Sequence, residues 1–130
     1  VLLLQQWVHD VTSWESLPEA SQAKVIGRTK PESVELDPQP PDSHVARTDQ
    51  EVFGNIFRRN MPYGTVSSHG TMFVGFSSDQ RPLKAMLESM AGVGGVRDAL
   101  TRYTRPLTGA YYFIPSTEAI RRFSSVSAPG

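Results

Sequence analysis

Gly70-Thr71-Met72-Phe73-Val74-Gly75-Phe76-Ser77 runs directly into Ser78-Asp79-Gln80-Arg81-Pro82-Leu83-Lys84-Ala85-Met86-Leu87-Glu88-Ser89-Met90. The first eight residues read as a strand, with Met72, Val74 and Phe76 on one side by the alternation of extended chain. The period then changes. Leu83, Met86, Leu87 and Met90 fall at i, i+3, i+4 and i+7, the apolar stripe of an amphipathic helix. Gly92, Gly94 and Gly95 close that helix.

Reading outward toward the N-terminus, residues 56–60 form a short strand that Met61-Pro62-Tyr63-Gly64 is expected to turn. Pro31, Pro38, Pro40 and Pro41 make residues 28–43 a loop. Residues 1–8 alternate as a strand with Leu2, Leu4 and Val8 on one face and Leu3 and Trp7 on the other, which suits a central, covered strand. Ser16-Leu17-Pro18-Glu19 has the pattern of a capped helix start, and Gly27 suits its C-terminus. Toward the C-terminus, Val96, Leu100 and Tyr103 predict a short helix, residues 110–114 a strand and residues 118–123 a terminal helix. Stripped of extras the order is βαββαβ, an α+β, ferredoxin-like arrangement with an antiparallel sheet and helices on one face. One domain over residues 1–123 and a flexible tail over 124–130 are expected.

The composition agrees with a single globular domain: 130 residues, 38% apolar and 20% charged. Thirteen basic residues balance 13 acidic ones, so no bulk field points to nucleic acid or an anionic membrane. No apolar run reaches the roughly 18 residues of a membrane span. The opening Val1-Leu2-Leu3-Leu4 is too short for a signal-peptide core. Cysteine is absent, which removes disulfides, thiolate metal sites and thiol nucleophiles, and leaves the cytoplasm as the default compartment. The chain lacks an initiator Met and opens inside a strand pattern, so it is expected to be the C-terminal half of a longer polypeptide.

The chemistry must then come from His, acids, Arg, Ser and Tyr. His9, His44 and His69 lack the close spacing of a helical two-His metal site, and no phosphate-loop glycine pattern follows a strand. His44 emerges from the proline-rich loop, and a single imidazole aimed from a rigid segment is how a protein holds haem iron. In the strand over 56–60, Arg58 and Asn60 share one face and Arg59 takes the other. The two are either surface groups or a polar site against an apolar wall, where an always-charged guanidinium can stabilise developing negative charge.

Five ordered segments carry a resemblance. They are Val25-Ile26-Gly27-Arg28-Thr29-Lys30; Asp42-Ser43-His44-Val45; Ile56-Phe57-Arg58-Arg59-Asn60-Met61-Pro62-Tyr63-Gly64; Gly70-Thr71-Met72-Phe73-Val74-Gly75-Phe76; and Leu107-Thr108-Gly109-Ala110-Tyr111-Tyr112-Phe113-Ile114-Pro115. In this order they resemble the C-terminal half of bacterial dye-decolourising (DyP-type) haem peroxidases, most like the B class, over roughly residues 1–120.

The resemblance implies one half of a fold of two ferredoxin-like units, holding b-type haem. His44 would be the proximal iron ligand. Arg58 and Asn60 would be distal catalytic residues, Asp98 the acid behind His44, and Phe73 and Phe113 residues lining the haem. Hydrogen peroxide and an organic electron donor, a dye or a phenol, would be the substrates. Trp7, Trp14, Tyr103, Tyr111 and Tyr112 are candidates for passing electrons to the surface, and Arg28, Lys30 and Arg47 for meeting the haem propionates. The family's distal acid lies in a GxxDG motif of the N-terminal half. No such motif occurs here, so that half is the expected partner. A homo-oligomer is also implied. Packaging inside a protein shell stays unsupported, because residues 124–130 lack a hydrophobic targeting peptide. Two other readings stand beside peroxidase activity: haem binding for iron release or transport, as in a deferrochelatase, and a non-catalytic ferredoxin-like assembly module.

Overall fold

The computed structural model describes residues 1–125. In chain order the elements are β1 (Leu2–His9), α1 (Val11–Glu15), α2 (Glu19–Ile26), α3 (His44–Arg47), α4 (Gln50–Phe53), β2 (Phe57–Gly64), β3 (His69–Phe76) and α5 (Gln80–Ala91). A 3₁₀ turn (Ala99–Arg102), β4 (Thr104–Tyr112) and α6 (Thr117–Ser124) complete them. The four strands form one sheet in the order β2-β3-β1-β4, with every neighbouring pair antiparallel. This is the ferredoxin-like βαββαβ arrangement, with β1 central as its two apolar faces imply.

The helix that decided the sequence reading is also the one that builds the core. Asp79 caps α5 by accepting from Arg81 N, and Gly92 ends it in the left-handed region at φ 81°. Its stripe of Leu83, Met86 and Met90 packs on Leu3 of β1 and on Ile56. Leu83 is completely buried, and Trp7 and Phe73 extend the cluster along the sheet. The opposite sheet face carries Phe57 and Phe76, whose ring centroids lie 6.3 Å apart, and Arg59 sits 5.6 Å over Phe57. Phe57 is 62% exposed there.

Several boundaries depart from the sequence reading. Met61-Pro62-Tyr63-Gly64 does not turn; it completes β2, and the reversal falls on the next four residues, where Thr65 N donates to Ser68 O at 2.8 Å. Pro62 is tolerated because β2 is an edge strand and needs ladder bonds on one side only. The same applies to Pro106. It lies in edge strand β4, beside a register shift between Gln6 and Trp7, so β4 starts six residues earlier than its strong β formers indicate. β4 also stops at Tyr112, which pairs with Leu2, the first residue of β1. Beyond it Phe113 and Ile114 have no partner strand among the described residues.

Ser16 ends α1 rather than capping α2, and Pro18 occupies the N-cap of α2 without a side-chain bond. Helix α1 is an addition to the expected order; Asp10 caps it by accepting from Ser13 N at 3.1 Å. The helix expected around Val96 and Leu100 shrinks to the 3₁₀ turn. Of the expected tail 124–130, Ser124 closes α6, Ser125 is its C-cap, and 126–130 lie outside the described residues.

Gly70 is the tightest point of the sheet. A Cβ there would collide with the carbonyl oxygen of Trp7 and lie 2.9 Å from the Tyr63 hydroxyl, which donates to that same carbonyl. Gly94, by contrast, has open space around it. Gly70→Ala is therefore expected to destabilise the domain by about 1–3 kcal/mol in denaturant unfolding, and Gly94→Ala to leave it within about 0.5 kcal/mol.

Candidate functional site

The cavity-facing residues of the sheet are set by the pleat. On β1 they are Gln5, Trp7 and His9, on β2 Arg58 and Asn60, and on β3 His69, Thr71 and Phe73, while Leu3 on the same face goes to the core. Beyond the core formed with α5, this face opens into a cavity of about 1300 Å³, whose far wall includes Ile26 of α2 and His44 and Val45 of α3. Small-molecule sites usually hold about 300–1,000 Å³, so there is room here for a large ligand.

His44 is the first residue of α3. Buried Ser43 caps that helix, its hydroxyl accepting from Ala46 N while donating to Gln39 Oε1 at 3.0 Å. Thr48 Oγ1 donates to the His44 carbonyl at 2.7 Å. The ring itself is held by Asp98, with Nδ1 2.7 Å from Asp98 Oδ2. Asp98 is completely buried at its side chain, and the His44 side chain is 33% exposed. The other carboxylate oxygen accepts from Leu100 N at 2.9 Å, capping the 3₁₀ turn. A buried carboxylate must be satisfied, and this one uses both oxygens. With Asp98 as acceptor, Nδ1 carries the proton and Nε2 is the basic nitrogen, free of protein partners among the described residues. The structure thus joins two residues 54 positions apart in the chain.

Arg58 lines the same cavity, and its Nη1 donates at 3.3 Å to the carbonyl of Thr48, the C-cap of the helix that carries His44. Arg58 and Asn60 line the cavity together, as the alternation requires, and both are exposed on the edge strand. Phe73 lines the cavity and packs against the core. Phe113 does not line it; it follows the last sheet residue and is 82% exposed. Arg28 is engaged by Glu35 and the Ser33 carbonyl, and Lys30 by Gln22. Arg47 has a buried Nε without a partner among the described residues, and it does not line the cavity.

Sequence spacing gave no reason to group the histidines, yet all three line this cavity. His9 and His69 meet edge to face at 5.9 Å, and His9 Nε2 lies 3.1 Å from Thr71 Oγ1. Their positions at the facing ends of β1 and β3 are legible only once the antiparallel register is known. Trp14 and Tyr103 also meet edge to face there, at 5.4 Å. Among the described residues no group of three or more His or acidic side chains is placed to hold a metal ion.

The fit to a haem rests on these features: a free imidazole nitrogen backed by a buried carboxylate, a wide cavity, and a cation and an amide on the facing strand. No helix is long and apolar enough to cross a membrane among the described residues.

Comparison with known proteins gives one answer. The family model described as Dyp-type peroxidase, C-terminal, matches residues 1–119. A dye-decolorizing peroxidase of Mycobacterium tuberculosis is 37% identical over 125 residues, covering 88% of this chain and 37% of that protein. Among solved structures, a dye-decolorizing protein from V. cholerae superposes with a TM-score of 0.86 at 44% identity, over 93% of this chain and 43% of its own. A DypB variant from Rhodococcus jostii RHA1 in complex with heme gives a TM-score of 0.82 at 35% identity, over 90% of this chain and 41% of its own. The chain thus spans about two fifths of the length of the relatives it matches.

The pair His9 and His69 yields a pH prediction. Burial, and next the neighbouring His69, hold His9 below its ordinary value of 6.5. The unfolded chain then takes up a proton more readily than the folded one, so stability is lost as the pH falls below 6.5. Denaturant unfolding at pH 7.5 and 5.5 should show a smaller acid loss in His9→Gln than in the parent; equal losses contradict it.

Proposed function

The chain belongs to the Dyp-type peroxidase family, and on that premise we propose that it is the haem-holding part of a peroxidase that reduces hydrogen peroxide and oxidises organic donors such as dyes or phenols. The observation that carries this reading is the His44–Asp98 pair at 2.7 Å on the wall of a cavity large enough for b-type haem.

His44 would hold the iron through Nε2. Asp98, accepting from Nδ1, fixes the tautomer and makes Nε2 more electron-donating. Haem, when bound, supplies the redox chemistry by which peroxide is reduced and donors are oxidised. The chain's own contribution on the facing wall is electrostatic. The Arg58 guanidinium would stabilise the negative charge that develops on peroxide. Its tie to the Thr48 carbonyl limits its wandering. Asn60 orients peroxide or water by hydrogen bonding, and Phe73 offers an apolar surface to the macrocycle. Of the three candidate cations for the propionates, Arg28 is the one that lines the cavity among the described residues, where Glu35 pairs with it.

A proton must also move between the two peroxide oxygens; among the described residues Arg58 makes no ion pair, and the family's distal acid lies in a GxxDG motif that this chain lacks. The N-terminal half of the same enzyme is the natural source. Two observations support it: the chain spans about two fifths of its relatives, and Arg58, Asn60 and the apolar face around Phe57 are exposed here. A homo-oligomer built on that two-part unit, in the cytoplasm that a cysteine-free chain suits, completes the reading. The built cavity favours it over a bare assembly module.

The test is a haem titration followed by its Soret band, with His44→Ala beside the parent. Binding that needs His44 supports the reading; a band indifferent to His44→Ala, or none, overturns it. In the haem-loaded protein, Arg58→Leu is expected to keep the band and to slow peroxide reduction about 100- to 1,000-fold in stopped-flow measurements.

A further inference from the structure

Gln5 is a buried polar residue that the function above leaves unused. It sits on the central strand between Leu3 and Trp7 of the same face, is 9% exposed, and lines the cavity. Among the described residues its side chain has no hydrogen-bond partner, although a carboxamide offers two donor hydrogens and an acceptor oxygen. The amide is not sealed in the packed interior: the fully buried side-chain polar atoms without a partner among the described residues are Arg47 Nε and Ser89 Oγ, so the Gln5 carboxamide opens to the cavity, where its donors can be met only by what fills it.

The register shows what surrounds it. Gln5 pairs with Phe73 of β3 on one side and Gly109 of β4 on the other, and Phe73 pairs with Asn60 of β2. One row across the sheet is thus Asn60, Phe73, Gln5, Gly109. Gly109 contributes no side chain, and a Cβ there would lie 3.5 Å from both Cγ and Nε2 of Gln5. The Gln5 side chain therefore runs beside a strand position left bare, and the row sets a carboxamide on either side of the Phe73 position. Gln6, the next residue, belongs to the opposite face.

We propose that Gln5 is a further ligand-contacting residue of this cavity, donating an amide N–H to a small anionic or oxygen-bearing ligand on the sheet side, of the class of peroxide, water and fluoride. The proposal rests on the haem reading above and assigns within it a donor separate from Arg58 and Asn60. An amide does this without adding charge, so it can hold a ligand in place without drawing a proton from it.

The test uses the haem-loaded chain with fluoride as probe, because fluoride only accepts hydrogen bonds. Its dissociation constant is read from the haem spectrum in the parent, Gln5→Leu, Gln5→Glu and Gln6→Leu, with thermal midpoints alongside. Losing one donor should raise the constant about two- to tenfold in Gln5→Leu. Gln5→Glu, which retains the volume and puts a carboxylate in place of the donor, should raise it at least as much. Gln6→Leu should leave it unchanged. Should Gln5→Leu fold poorly, Gln5→Glu carries the test alone. A lowered thermal midpoint with unchanged fluoride affinity in the Gln5 variants means a purely structural Gln5 and overturns the assignment, while the haem reading survives. If the parent forms no His44-dependent Soret band, the haem reading fails and this assignment falls with it.

Discussion

The hydrogen bond between His44 and Asp98 is the constraint around which the domain is arranged. A carboxylate with no solvent exposure is tolerated only when both oxygens are answered, and here one is answered by the imidazole and the other by the Leu100 amide. The backbone around it is equally committed. Asp98 N donates to the Met90 carbonyl at the end of α5, and Ala99 N donates to the Asp42 carbonyl just before α3. One residue thus joins the core helix, the helix that carries His44 and the turn that leads into β4. Loosening it would release the ring and the end of the core helix together, so geometry of the site and stability of the fold are coupled at this point.

The sheet divides the remaining work between its faces. Toward α5 it supplies Leu3 and Phe73 to the core and, further along, a polar set of Arg58, Asn60, Gln5 and His9 to the cavity. Away from α5 it presents exposed apolar side chains, Phe57 at 62% and Met61 at 49%. Strand alternation makes the division unavoidable: a residue that serves the cavity cannot serve the other face. This is why neighbours such as Arg58 and Arg59 have different surroundings, one tied to Thr48 and the other stacked on Phe57.

Much of this was legible in the sequence where one pattern had no rival. The stripe of Leu83, Met86, Leu87 and Met90 could only be a helix, and the split order of strands followed from it. His44, Arg58 and Asn60 stand out through motif resemblance and Asp98 only by counting back from Thr108-Gly109, while alternation alone places Arg58 and Asn60 on one face. The errors cluster where edge strands relax the usual rules. Pro62 and Pro106 look like strand breakers, and they are tolerated because each strand needs ladder bonds on one side only. Phe113 falls outside the sheet because a strand ends where its partner ends, which is a fact about β1 rather than about β4. The Arg58–Thr48 tie, the meeting of His9 with His69 and the row containing Gln5 are products of register, and no local spacing carries them. A signal did exist for Gln5: a polar residue set between Leu3 and Trp7 on one face of the strand.

The most direct measurement is the iron–imidazole stretching frequency of the reduced, haem-loaded protein by resonance Raman, in the parent and in Asp98→Asn. A carboxylate behind Nδ1 strengthens the bond from Nε2 to iron, whereas an amide in its place is a weaker acceptor. The frequency should therefore fall in Asp98→Asn. A frequency that does not move, in a variant that still binds haem, would contradict the claim that this hydrogen bond governs the ligand.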